Sequence, residues 1–405
     1  MAAPSSRLQK HLLRLCARKA GIKQILFPQN ISSTPAKSLV VRGKLSGRCA
    51  LQKQLKNGFI PHQSCSHCLS TDPAQQTRVL TEVDPFQLIE QELHTLCDDI
   101  KAELVNSKKE LQTITQYYFD GKGKSFRPAV VMLVSKALNS HTVASERLLP
   151  SQKRVAMIAE MIHTASLIQD DVIDDSKTRR GKESVHMTWG HRKAIFSGDF
   201  ILSVACIALA RIRNERVVTI LSQVIEDLVR GEFMQLGSKE DEDERFAHYL
   251  KKTFKKTASL IANSCKAVAV LGDCSEQVAE LAYNYGRNIG IAFQLIDDLL
   301  DFTSCEAVLG KPTAADLSLG LATAPVLFAA QEYSELHPMI MRRFSSEGDV
   351  MRARDLVAMS DGVAQTRMLA EKHSQEAIKL IRQLANSQTR IALEQIAELV
   401  LKRKK

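Results

Sequence analysis

A chain of 405 residues with 18 Gly, 11 Pro and little Val/Ile/Thr alternation is not collagen-like, not disordered throughout and not a many-turned all-β protein. Its 44% hydrophobic content can fill a sizeable core, and with 5% aromatics and one Trp that core is mostly aliphatic, as in helical proteins. The formal net charge of +10 suggests a nucleic-acid or acidic membrane partner, but residues 1–71 hold twelve Lys or Arg and no acid precedes Asp72, which leaves 43 basic against 45 acidic residues elsewhere. The body of the chain is nearly neutral, and the case for nucleic acid loses its main support.

Residues 7–19 place Leu8, Leu12 and Leu15 against Arg7, Lys10, Arg14, Arg18 and Lys19, a helix apolar on one side and cationic on the other. Organelle import sequences have this form, and the apolar core of a secretory signal is missing. Residues 1–75 are therefore read as a mitochondrial presequence and disordered linker, with the mature chain destined for the matrix, and residues 76–405 as one domain. Cys65-Ser66-His67-Cys68 is a CxxC without a second pair at zinc-finger spacing, a weak metal signal. Cys97, Cys206, Cys265, Cys274 and Cys305 fall in apolar contexts, as reduced core thiols do.

Asp84-Pro85 supplies an N-cap followed by a Pro at the first helical position, and Phe86, Ile89, Leu93, Leu96 and Ile100 recur at helical spacing. Helical periodicity then predicts elements over 101–118, 128–139, 151–175, 191–212, 215–236, 244–271, 276–303, 319–331, 349–358, 362–385 and 388–402. Residues 194–210 are the most membrane-like stretch, but the run is short for a span and contains Asp199, so a buried core helix and no transmembrane segment are expected. One all-α domain follows.

Two acidic clusters carry the chemistry: Asp170-Asp171-Val172-Ile173-Asp174-Asp175 and Asp297-Asp298-Leu299-Leu300-Asp301. Residues four apart share a helix face, so Asp170 pairs with Asp174 and Asp297 with Asp301. Each cluster closes a strongly apolar run, where crowded carboxylates must take up protons or bind cations. Oxygen-only ligands favour Mg²⁺, which adds substrate phosphate oxygens and water to its shell. Lys124, Arg127, Arg179, Arg180, Lys256 and Lys311 accompany the clusters, as a diphosphate requires.

With Lys124-x-x-Arg127-Pro128, His163 seven residues before Asp170, both DDxxD clusters, the Arg179-Arg180 pair and Phe293-Gln294, residues 84–405 resemble the trans-isoprenyl diphosphate synthases, and most closely their long-chain mitochondrial members. The resemblance implies a bundle of mostly antiparallel helices around a central cavity, with the clusters facing each other at its mouth. It implies that Asp170, Asp171, Asp174, Asp297, Asp298 and Asp301 hold Mg²⁺ on an allylic diphosphate, aided by Arg179, Lys256, Thr257, Gln294 and Lys311. Lys124, Arg127, His163 and Arg180 would bind isopentenyl diphosphate. Ionisation, condensation and elimination would build the nine- or ten-unit side chain of ubiquinone. Ala165 and Ser166, small residues beneath the first cluster, would leave the floor open for a long product.

The same resemblance implies a divergent second synthase subunit in a heterotetramer, or a homodimer, and peripheral contact with a membrane for product release. Three positions depart from the family pattern: Leu321 stands where a Lys is common, Gln169 where a His often precedes the first Asp, and Lys122 in place of a Gly. A class I terpene cyclase is disfavoured by the second DDxxD, and a non-catalytic scaffold subunit by the completeness of both clusters.

Overall fold

The computed structural model describes residues 84–121, 123, 125–236, 242–303 and 314–403, all within one compact unit. The expected presequence, Lys122, Lys124, the CxxC, Cys305 and Lys311 lie outside the described residues. Asp84 acts as the cap the sequence suggests, its carboxylate accepting from Phe86 N at 2.9 Å, and a short 3₁₀ turn at Gln87–Ile89 leads into α1 (Glu90–Glu103).

The helix expected over 101–118 is interrupted. The Asn106 side chain accepts from Lys108 N at 2.9 Å, a local bond that competes with helix continuation, and α2 begins only at Lys109–Gln116. Next come α3 (Phe126–Val143), α4 (Pro150–Ile173), α5 (Val185–Trp189), α6 (His191–Ala210), α7 (Glu215–Leu236) and α8 (Glu242–Thr253). A single π turn, Phe254–Ala258, links α8 to α9 (Ser259–Leu271), so the element expected over 244–271 is one helical rod with a widened turn inside it. The long α10 (Glu276–Thr303) follows, then α11 (Ala315–Ser318), α12 (Ala324–Ala329), α13 (Leu336–Met341), α14 (Asp349–Met359), α15 (Gly362–Ile381) and α16 (Gln388–Leu401). The run expected over 319–331 shortens to α12 because Gly320, at φ 75°, breaks the chain before it.

The core lies where α10 packs against α9 and α15, with α4 against α6 and α3 beside them. Two glycines of α10 set the closest approach: a Cβ on Gly286 would meet Ala262 Cα at 2.9 Å, and one on Gly290 would meet Ala258 Cα at 2.5 Å. Buried polar groups are bonded across the bundle. Gln152 of α4 exchanges bonds with Asn139 of α3 and donates to Val268 O of α9, while Tyr285 of α10 donates to Leu393 O of α16 at 2.9 Å.

Two expectations change. The stretch 194–210 is not a fully buried core helix: α6 is 20 residues long, with a mean hydropathy of 1.7 and 39% of its window buried, long and apolar enough to cross a membrane by composition. Ala194, Gly198, Ile201 and Ala205 face the bundle, whereas Ile195, Phe196 and Ile207 face outward. Asp199, inside it, accepts a bond from Gln169 of α4 at 2.9 Å, as suits a bundle helix with an apolar outer face. Among the cysteines, Cys265 is buried as expected, but Cys206 is exposed on that same outer face of α6.

Candidate active site

The helix α4 stops at its acidic cluster. Asp174 N still bonds back to Asp170 O at 2.8 Å, and Asp175 then turns left-handed at φ 49°. The four-residue spacing leaves Asp170 and Asp174 half-buried and turns Asp171 inward, 1% exposed. There Arg179 Nε and Nη2 both donate to Asp171 Oδ1, at 2.9 and 2.5 Å. Burial works against the Arg179 charge, yet the bond to Asp171 outweighs it and raises the guanidinium pKa.

Arg179 reaches back because the loop after α4 is a small hairpin. Thr178–Arg179 pairs antiparallel with Lys182–Glu183, and Arg180-Gly181 turn between them with φ of 53° and 75°. Positive φ at both central residues is the geometry of a tight primed turn, and Gly at the second position was its sequence signal. The turn sends Arg180 to Glu160 (3.1 Å) and Tyr118 O (3.1 Å). Glu160 is itself a buried acid in the middle of α4, a partner that its apolar neighbourhood demanded.

The second cluster, on α10, repeats the division. Asp298 is 2% exposed and accepts from Tyr249 Oη at 2.5 Å and Gln294 Nε2 at 2.8 Å. Asp297 faces outward and pairs at 2.9 Å with Arg403 of the basic tail, whose guanidinium stacks 3.8 Å over Phe293. Asp301 caps the next segment, accepting from Ala315 N (3.1 Å) and Asp316 N (3.2 Å). Of the six aspartates expected to hold Mg²⁺, Asp171 and Asp298 are buried against protein partners, and Asp301 also accepts from the backbone of α11.

The π turn ties the two clusters together. Thr257 Oγ1 donates to Gln294 Oε1 at 2.8 Å, and Gln294 passes the bond on to Asp298. Its neighbour Lys256 pairs with Glu232 of α7, bonds Gln235 Oε1 at 3.0 Å, and acts on Asp170 and Asp174 by its charge. A widened turn lets consecutive residues serve both sides, a common use of π turns at functional sites.

Arg127, from the start of α3, donates from Nη1 to His163 Nε2 at 2.8 Å, and its Nε is buried with no hydrogen-bond partner among the described residues. Burial first, then the charges of Arg127, Arg180 and Arg179, hold His163 well below its ordinary pKa, so the ring is neutral. Acceptance at Nε2 places its proton on Nδ1. Ala165 is buried where its carbonyl lies near Gly198 of α6, so its small size also serves helix packing, and Ser166 is half-buried, donating to His163 O.

A divalent cation suits this arrangement. Burial pushes the Asp170 carboxyl up to about 7, with the charges of Glu232 and Asp174 raising it further against the lowering effect of Lys256, and burial likewise raises Asp174 and Asp297. Carboxylates held against their own charge by burial and by each other, with oxygen donors alone, match a hard ion and a substrate that brings phosphate oxygens. Leu321, the departure from pattern, lines a cleft with Tyr249, Lys252 and Arg343 beside Asp298. Tyr118, Glu160, Tyr249 and Glu232 were not singled out from sequence. Glu160 alone carried a signal; the others meet their partners only through the fold.

Residues 108–357 match the polyprenyl synthetase family model. The chain is 61% identical over 322 residues to a human protein named all trans-polyprenyl-diphosphate synthase PDSS1, covering 80% of this chain and 78% of that one. It is 44% identical over 350 residues to decaprenyl-diphosphate synthase subunit 1 of Schizosaccharomyces pombe, covering 80% and 93%. A polyprenyl synthase from Caulobacter crescentus, solved with calcium and isoprenyl diphosphate, superposes with a TM-score of 0.71 at 28% identity, covering 79% and 97%.

Proposed function

Since the chain belongs to the polyprenyl synthetase family and is a long-chain all-trans prenyltransferase, we propose that it extends farnesyl or geranylgeranyl diphosphate with isopentenyl diphosphate to nine or ten isoprene units. The observation that carries the site assignment is the π turn itself, whose Thr257 bonds through Gln294 to Asp298 of the second cluster while its neighbour Lys256 acts by charge on Asp170 and Asp174 of the first.

Asp170, Asp174 and Asp297, with Asp301, would hold Mg²⁺ on the allylic diphosphate, where the ion would neutralise charge developing on the leaving group. Asp171 and Asp298 position the two helix ends through Arg179, Tyr249 and Gln294. Lys256 and Arg179 face the allylic diphosphate together with Lys311. Arg127, His163, Arg180 and Lys124 take isopentenyl diphosphate, with neutral His163 keeping the Arg127 fork oriented. The allylic C–O bond breaks, the isopentenyl double bond attacks the carbocation, and a proton leaves to the departed diphosphate. No nucleophilic side chain takes part.

Residues 1–75 act as the presequence for the mitochondrial matrix and residues 76–405 as the synthase domain. The outer face of α6 and α7, where Phe196 is 62% and Phe233 72% exposed beside Ile195, Ile207 and Val229, supports a second synthase subunit or a second copy. The long apolar product leaves at a membrane surface.

The full chain, alone and with a divergent subunit, is incubated with farnesyl diphosphate, labelled isopentenyl diphosphate and Mg²⁺, and products are resolved by length. Nine- or ten-unit product that disappears in Asp170→Ala is the expected result. Folded protein that elongates nothing in either preparation sinks the catalytic reading in favour of a scaffold subunit.

A further inference from the structure

A second cluster of ligating side chains lies behind the first aspartate cluster, and prenyl transfer makes no use of it. Asp175 ends α4, His186 sits in α5 and His191 opens α6, and one ligand atom of each lies within 4.8 Å of the others. The His186 side chain is wholly buried, and neither Nδ1 nor Nε2 has a hydrogen-bond partner among the described residues. Buried imidazole nitrogens ordinarily find partners, so this ring is turned toward something it does not yet bond. Its Nε2 faces Asp175 Oδ1 at 3.5 Å, and its ring centroid stands 5.1 Å from that of His191.

Two imidazoles and a carboxylate form a borderline donor set, unlike the oxygen-only aspartate clusters, and suit Zn²⁺ or a similar late first-row ion. Two ligands bound at about 2.0–2.1 Å to a tetrahedral ion stand roughly 3.3–3.5 Å apart. The Asp175–His186 pair already has that spacing. Asp175 and His191 are exposed, so rotamer changes at His191 close the remaining distance without moving the buried ring.

We infer that Asp175, His186 and His191 form a three-ligand site for Zn²⁺ or a chemically similar divalent ion, with water in the fourth position. An ion there ties the end of α4 to α5 and to the start of α6. It thereby fixes both ends of the hairpin that presents Arg179 and Arg180. The site is a staple on the loop, separate from the Mg²⁺ that the aspartate clusters suit.

The probe is Co²⁺, added to the full chain in excess Mg²⁺ so that oxygen-only sites are filled. Visible d–d bands of tetrahedral intensity should saturate at one equivalent, be displaced by Zn²⁺, and vanish in His191→Ala, which keeps wild-type circular dichroism and wild-type prenyl transfer without added Zn²⁺. Zn²⁺ should raise Tm of the wild type by several degrees and leave His191→Ala unmoved. His191 is exposed, so its loss reports ligation rather than folding. Bands that persist in both His191→Ala and Asp175→Asn, a thiolate charge-transfer spectrum that places the ion at Cys65 and Cys68, or folded protein that takes up no Co²⁺ would each overturn the inference.

Discussion

Arg403 of the C-terminal tail pairs with Asp297 at 2.9 Å while stacking 3.8 Å over Phe293, which itself stacks on Phe126. The tail is thus a cation resting on the outward acid of the second cluster, where a metal ion would also bind. Two positive partners compete for one carboxylate. Arg403→Ala should therefore lower the half-saturating Mg²⁺ concentration about threefold to fivefold, the worth of a partly exposed ion pair of about 1 kcal/mol. Titration calorimetry with Mg²⁺ alone reads this directly, and unchanged or weaker Mg²⁺ binding would contradict the competition.

Beside the diphosphate-binding role proposed for it, Arg179 has a structural task. Both of its bonded nitrogens donate to Asp171, a carboxylate 1% exposed. Removing the guanidinium leaves that charge buried and uncompensated, which costs about 3–5 kcal/mol. Arg179→Ala should lower Tm by about 5–10 °C in the absence of substrate. Arg179→Ala together with Asp171→Asn should recover much of the stability without recovering activity. If Tm in scanning calorimetry stays at the wild-type value in the single variant, Arg179 has no structural role.

The aspartate clusters were legible because their spacing equals one helical turn and because apolar runs such as Met161-Ile162 and Leu295-Ile296 lead into them. Helix identity was legible for the same reason, since α4, α7 and α10 keep an uninterrupted period. What failed was local competition: Asn106 and Gly320 break runs that periodicity alone extends. The division of labour within each cluster was hidden as well. Asp171 and Asp298 owe their inward setting to Arg179 and Tyr249, and Tyr249 sits 49 residues away from its partner. The π turn at Lys256-Thr257 left no mark in a sequence that reads as ordinary helix.

Gly290 links packing to the proposed site. A Cβ there would sit 2.5 Å from Ala258 Cα, a backbone atom of the π turn's last residue that cannot step aside as a flexible side chain does. Gly290→Ala should push that turn outward, destabilise the domain by about 1–3 kcal/mol, and break the Thr257–Gln294–Asp298 chain. Activity should fall at least tenfold under conditions where the protein is still fully folded. Gly286→Ala, crowding Ala262 away from the π turn, should cost similar stability with a smaller loss of activity. Equal activity losses in the two variants would remove the special role of the π turn.

Acid sensitivity should trace in part to His373, on α15 against Asn288 of α10. Burial first, then Arg287 and Lys372, push its pKa down to about 3, and its Nδ1 lies 2.7 Å from Asn288 Oδ1, an acceptor that requires the proton on that nitrogen. The Nε2 is buried without a hydrogen-bond partner among the described residues, and with the lowered pKa the native ring is neutral. In the unfolded chain the same ring titrates near its ordinary value of about 6.5. Between about pH 6.5 and pH 3 the unfolded state holds more protons, so stability rises with pH across that window and falls as pH drops through it. The full effect is on the order of 5 kcal/mol by linkage. His373→Gln, which keeps a donor for Asn288 but cannot take up a proton, should lose stability at pH 7.5 through poorer packing. Its denaturation midpoint should then decline less steeply than wild type from pH 6.5 to 4.5. Parallel wild-type and variant curves across that range in urea titrations would show that His373 does not carry the acid dependence.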